Sequence, residues 1–175
     1  MKQTAFFSIC LIGILSQPAL AVDGYKDVKF GASEKELISK GICSMSRAPD
    51  YVSGISMWQC HDFRLAGGMT NAYAYFIDGK FSRLGIDLAW GDMAKVSDGL
   101  FEKYGPLSSR STQEQIAALD SQPNALAYIA FDKDTVYISM GTDGNLNKSA
   151  MLVYTDPSFD RLSAEKQQAA LADAL

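Results

Sequence analysis

The stretch NAYAYFIDGKFSRLGIDLAW, residues 71–90, constrains the fold more than any other part of the chain. Two runs of alternating apolar and polar residues flank Asp78-Gly79. That dipeptide suits a two-residue type I′ turn, which needs a positive φ at both central positions and matches the twist of the strands it joins. An antiparallel hairpin is therefore written into the middle of the sequence. Counting outward from an Ile77–Lys80 pair puts Tyr75 opposite Ser82 and Tyr73 opposite Leu84. On that register Leu84, Ile86, Leu88 and Trp90 mark the buried face. Ala72, Ala74, Phe76, Phe81, Arg83, Gly85 and Asp87 mark a mixed face, as expected where an antiparallel sheet meets solvent on one side.

Helix signals lie on either side of the hairpin. Ser33 to Glu36 reads as a capping box after the strand YKDVKF, and Gly41 ends that helix. Asp92 caps a second helix, in which Met93, Val96, Leu100 and Tyr104 fall on one stripe before Gly105-Pro106 closes it. Ser111 to Glu114 forms a further capping box for a short helix. Strands are expected at 55–65, 126–131, 135–140 and 150–154, and the alanine-rich stretch 163–175 is a helix prone to fraying. A strand ending in an aromatic and Gly, then a helix closed by Gly, then three strands, occurs twice, starting from VKFG and from AWG. The expected fold is α+β: one antiparallel sheet with helices packed on one face, built as two βαβββ units that share a strand.

The opening MKQTAFFSICLIGILSQPALA reads as a signal peptide over residues 1–21. Lys2 is the basic start, Ala5 to Leu15 the apolar run, and Ala19-Leu20-Ala21 the small-x-small cleavage pattern. The run falls short of the roughly 20 residues needed to span a bilayer. Cleavage after Ala21 would leave a single domain, 22–175, in the periplasm or outside the cell. Cys10 departs with the leader, leaving Cys43 and Cys60 in an oxidising compartment, where an even pair predicts a disulfide. Two thiols with His61 and Asp62 lack the closely spaced pairs of a zinc site. Neighbours on a strand point to opposite faces, so His61 is not aimed at Cys60 as a catalytic base.

Charge and motif content narrow the rest. A formal net charge of -4 with no basic stripe disfavours nucleic acid and anionic membrane surfaces as partners. Ser–His–Asp chemistry would have to use His61, the chain's only histidine, and no serine sits in a GxSxG turn. Asp78, Asp92, Asp132, Asp134 and Asp143 fall at turns and caps, where local hydrogen bonding accounts for them. The run beginning at Asp143 departs from a calcium loop at Lys148 and Tyr154, where Gly and Glu are required. No glycine motif for phosphate or dinucleotide is present. The expectation is a chain that is not an enzyme and carries neither cofactor nor metal.

The motifs FGASEKEL, EKYGP and LVYTD look like those of small exported bacterial proteins of uncharacterised function. More remotely, the helix-then-meander units are similar to β-lactamase-inhibitor-protein and BamE-like domains. That resemblance implies a module that binds other proteins, and it carries over no contact residues. Aromatic and arginine side chains make good interface anchors. Tyr51, Trp58 and His61 near the disulfide loop, with Phe76, Arg83 and Tyr137 on the second sheet face, are therefore the candidate binding residues. The leading expectation is a non-catalytic binding or inhibitor module that recognises another envelope or secreted protein. A small-molecule or lipid binder of the envelope and a carboxylate-based hydrolase stand as alternatives.

Overall fold

The computed structural model describes residues 21–49 and 52–175, so the expected leader up to Leu20, and Tyr51, lie outside the described residues. The segment expected as one strand is a small hairpin, β1 (Gly24–Tyr25) with β2 (Val28–Lys29), turned at Lys26 with φ 51. Then come α1 (Glu34–Ser39), β3 (Ser46–Arg47), β4 (Ile55–Leu65), β5 (Gly68–Ile77) and β6 (Lys80–Leu88). A 3₁₀ turn, Trp90–Asp92, leads into α2 (Met93–Tyr104), β7 (Ser109–Arg110) and α3 (Gln113–Ala118). The chain ends with β8 (Leu126–Phe131), β9 (Val136–Thr142), β10 (Lys148–Thr155) and α4 (Phe159–Asp173).

Strands β3 to β10 make one eight-stranded sheet in the order β3-β4-β5-β6-β10-β9-β8-β7. Every neighbouring pair is antiparallel. Each half is a two-residue edge strand followed by a three-stranded meander, and the halves meet where β6 pairs with β10. β2 stays with β1 in its own small sheet, outside the main one. The fold is thus α+β, an open antiparallel sheet with four helices among the described residues.

The central hairpin turns as its sequence requires, with φ 49 at Asp78 and φ 71 at Gly79. Its register does not continue as simple counting predicts. Ile77 pairs with Lys80 and Phe76 with Phe81, but Tyr75 then pairs with Arg83, leaving Ser82 as an extra residue. The bulge keeps Leu84, Ile86 and Leu88 buried as expected, but it moves Phe81 to the core and reverses the expected faces of β5. Ala72, Ala74 and Phe76 lie with Leu84, Ile86 and Leu88 in the core, while Tyr73 and Tyr75 face outward beside Arg83, Gly85 and Asp87. The cause is packing: Phe76 and Phe81 are both 0% exposed, and one added residue lets Phe81 and Leu84 bury on the same side. Burial of each such side chain contributes about 1.5–3 kcal/mol.

The core face also holds Leu152, Ile138 and Val136, and is covered by Leu37 of α1, Leu100 of α2 and Leu119 at the end of α3. Caps follow local chemistry. Ser33 Oγ accepts the Glu36 N–H at 3.3 Å. The later capping box forms one residue beyond its expected place, between Thr112 and Gln115, because Ser111 is buried and accepts the Tyr128 N–H at 3.1 Å. Asp92 makes no side-chain cap; the 3₁₀ turn starts α2 instead. Gly105, at φ 84, closes that helix.

α4 departs from the other helices. It begins at Phe159 rather than near Ser163, and it docks on the opposite sheet face. The Phe159 ring meets Tyr75 edge-on at 6.0 Å, and the Arg83 guanidinium lies 3.8 Å over that ring. Among the described residues no helix is long and apolar enough to cross a membrane.

Candidate functional site

The second face of the sheet is laid out by the strand register. One row across it is Met57, Tyr75, Arg83 and Thr155; the next is Gln59, Tyr73, Gly85, Val153 and Tyr137. Beyond these lie Asp87, Met151, Ser139 and Tyr128. α4 covers the first row through Phe159 and leaves the others beneath a groove of about 950 Å³. Pro49 and Val52 bound it on one side, Leu126 on the other, and Ser163 and Gln167 of α4 form a wall. A hollow of about 650 Å³ adjoins it near Tyr128 and Lys133, sharing Tyr137 and Ser139.

Arg83 is committed to holding α4. Its Nε donates to Thr155 Oγ1 at 3.0 Å and one terminal nitrogen pairs with Asp160 at 2.8 Å. With its side chain only 16% exposed and stacked over Phe159, little of the guanidinium remains for a partner. Burial raises the Tyr75 and Tyr137 hydroxyls above the usual tyrosine range, opposed in each case by the nearby Arg83 charge. Both phenols remain protonated donors at neutral pH. At the centre of the floor, a Cβ built on Gly85 would lie 2.7 Å from Met151 Sδ, so glycine is what lets that thioether lie flat across β6.

The far end is polar. A second bulge sets His61 and Asp62 against the single residue Asn71, since Cys60 pairs with Ala72 and Phe63 with Thr70. His61 Nδ1 lies 2.8 Å from Asn71 Oδ1, and Asn71 Nδ2 donates to Asp87 Oδ2 at 2.8 Å. With the amide so oriented, its carbonyl accepts a proton carried on Nδ1. The Tyr73 hydroxyl donates to the same Asp87 oxygen at 3.2 Å. Burial, then the Asp87 charge, raises the Tyr73 pKa.

Of the residues expected from the sequence, Arg83 and Tyr137 do share this face, and His61 sits exposed at its polar end. Phe76 is corrected to the core: with 0% exposure it lies on the opposite face, carried there by the bulge at Ser82. Trp58 is half-buried on the core side opposite Ala74, its indole N–H buried without a protein acceptor among the described residues. Tyr73, Tyr75, Asn71, Asp87 and Met151 went unassigned as site residues.

The thiols are joined. Cys43 and Cys60 form a disulfide with S–S 2.04 Å, and Cys60 is 1% exposed. Asp62 lies with the two sulfurs within 4.8 Å, but a disulfide offers no thiolate to a metal. Asp62 has other work. Its carboxylate accepts the Ser44 hydroxyl at 2.7 Å and the Ser44 N–H at 2.9 Å, which lowers its pKa and fastens the chain beside Cys43.

A family model described as uncharacterised protein matches residues 25–174. An uncharacterised protein of Haemophilus influenzae is 32% identical over 176 residues, covering 100% of both chains. No solved structure matches, and the remoter likeness to BamE-like and inhibitor-protein domains finds no support there.

Proposed function

Because the chain belongs to this family of uncharacterised proteins, we propose its function from the shape of the molecule: a non-catalytic, exported recognition module that binds another protein of the cell envelope. The observation that carries the reading is the half-covered second sheet face, with its groove floored by Tyr75, Tyr137, Met151 and Val153. Aromatic and methionine side chains gathered in a concavity are the composition that interface cores favour. Strand addition at an edge is a poorer route. β3 and β7 blunt both ends of the sheet with two-residue strands, the usual protection against edge pairing. Export is supported by the disulfide, which persists in oxidising compartments.

The groove volume supports a second reading, an envelope binder of a small molecule or lipid, since ligand sites occupy about 300–1,000 Å³. The hydrolase reading gains nothing: among the described residues Asp87 is the one carboxylate lining the groove, whereas a glycosidase needs a pair. Affinity capture from periplasmic extract separates the remaining two. A partner retained by the wild type and lost with Met151→Trp supports protein recognition. A co-purifying small ligand in native mass spectrometry, with no protein captured, supports the second reading and overturns the first.

A further inference from the structure

Resting on the recognition reading above, we infer that the Asp87 end of the groove is a cation subsite, which takes a lysine or arginine side chain presented by the partner protein. Asp87 lines the groove, and both side-chain donors to it are neutral and share Oδ2: Asn71 Nδ2 at 2.8 Å and the Tyr73 hydroxyl at 3.2 Å. Among the described residues Asp87 forms no ion pair, and Oδ1 has no hydrogen-bond partner. A half-buried carboxylate is stabilised most by an opposite charge, and this one lacks it.

The neighbouring charges do not fill that role. Arg83 is neutralised by Asp160 at 2.8 Å and turned toward α4. His61 meets Asn71, which stands between the imidazole and the carboxylate. Among the described residues the groove therefore presents one uncompensated negative charge, within a chain of formal net charge -4. Its floor suits the rest of such a side chain. The Met151 thioether lies flat over Gly85 and can carry a methylene stem, and Tyr75 and Tyr137 line the same groove, where aromatic rings add attraction for a cation. A free amine would satisfy the charge but leave most of an open groove of about 950 Å³ unfilled, which favours a side chain borne on a partner surface.

The test is a titration of the disulfide-bonded protein, followed by backbone amide NMR, with two blocked leucine-flanked heptapeptides that differ only in a central Lys or Glu. Saturable shifts at Gly85, Asp87 and Met151 are expected with the Lys peptide. They should weaken at raised salt and lose about tenfold in affinity in Asp87→Asn. An equal response to the Glu peptide, silent groove amides, or unchanged binding by Asp87→Asn would overturn the subsite. The Lys-against-Glu and salt comparisons use the wild type alone, so they decide even if the variant does not fold. Competition by n-butylamine as strong as the Lys peptide would make it a site for free amines and overturn the partner side chain. A partner captured by both the wild type and Asp87→Asn, yet lost with Met151→Trp, leaves recognition standing and removes only the cation subsite.

Discussion

Removing the Cys43–Cys60 bond tests how much of the stability rests on a single covalent link. The bond closes a loop with a sequence separation of 17. The entropy denied to the unfolded chain by a loop of that size amounts to about 3 kcal/mol at room temperature. Cys60 is 1% exposed, so replacing it with alanine also forfeits some buried apolar contact, adding about 1 kcal/mol. The double variant Cys43→Ala/Cys60→Ala should therefore lose about 3–4 kcal/mol in urea unfolding followed by circular dichroism. For a chain of this length that lowers the melting midpoint by about 6–15 °C. The loss should also be uneven. β3 pairs with β4 through just the two residue pairs Ser46–Gln59 and Arg47–Trp58, inside the closed loop and with the Ala48 N–H bonded to Met57 beyond them, so the amides of residues 46–47 should lose exchange protection first. A loss below about 1 kcal/mol, or two titratable thiols in protein taken from the envelope, would refute the reasoning.

Four further outcomes are expected. Phe76→Ala, at a site 0% exposed, should cost about 3–5 kcal/mol in chemical unfolding, whereas Phe101→Ala, 56% exposed, should stay within about 0.5 kcal/mol. Arg83→Ala should release α4, seen as earlier proteolytic cleavage after Asp156, because the guanidinium is both the ion-pair partner of Asp160 and the cover of Phe159. Burial, with Tyr104 adding to it, pushes Tyr25 up to about 12, and burial likewise raises Tyr154. An acid whose folded pKa is raised stabilises the fold fully below its unfolded value of about 10, and that stability is lost as pH climbs toward 12. Stability in urea should fall across that window, and less steeply in Tyr25→Phe. Finally, the Val22 nitrogen donates to an Asp132 carboxylate oxygen. Cleavage after Ala21 would turn that amide into an ammonium ion, so a chain starting at Val22 should melt higher than one carrying two extra residues. The gap should close in Asp132→Asn and above about pH 8, where the amine loses its charge. Equal melting of the two chains would defeat the idea.

Much of the framework was legible because local chemistry wrote it. Asp78-Gly79 dictated a positive φ at two successive residues, Ser33 sits where a helix needs an acceptor, and two cysteines remained for each other. An unbroken count of the hairpin register places Leu84, Ile86 and Leu88 correctly but assigns Phe81 and the β5 residues to the wrong faces. The slip left a trace all the same: apolar positions run odd at Phe81 and even at Leu84, Ile86 and Leu88, a change of phase that only an extra residue reconciles. That trace would have moved Phe76 to the core and Tyr73 and Tyr75 to the second face. The docking of α4 had no comparable mark. Its apolar stripe is thin, and its anchor is a contact between Phe159 and Arg83, far apart in sequence. The link from His61 through Asn71 to Asp87 was hidden for the same reason, since three strands and a bulge bring it together.

The meeting of β6 with β10 also bears on how the chain acquires its shape. Every other pair of neighbours in the main sheet joins strands consecutive along the chain, whereas Leu88 must find Ala150 and Arg83 must find Thr155 across an entire half of the molecule. Closing so long a span is slow compared with zipping local meanders. Each half would thus gain order early and wait with a sticky, unsatisfied flank until the other arrives. The search of β10 for β6 sets the interval in which a chaperone has most to offer, and under the proposed export that interval falls after the thread has crossed the membrane.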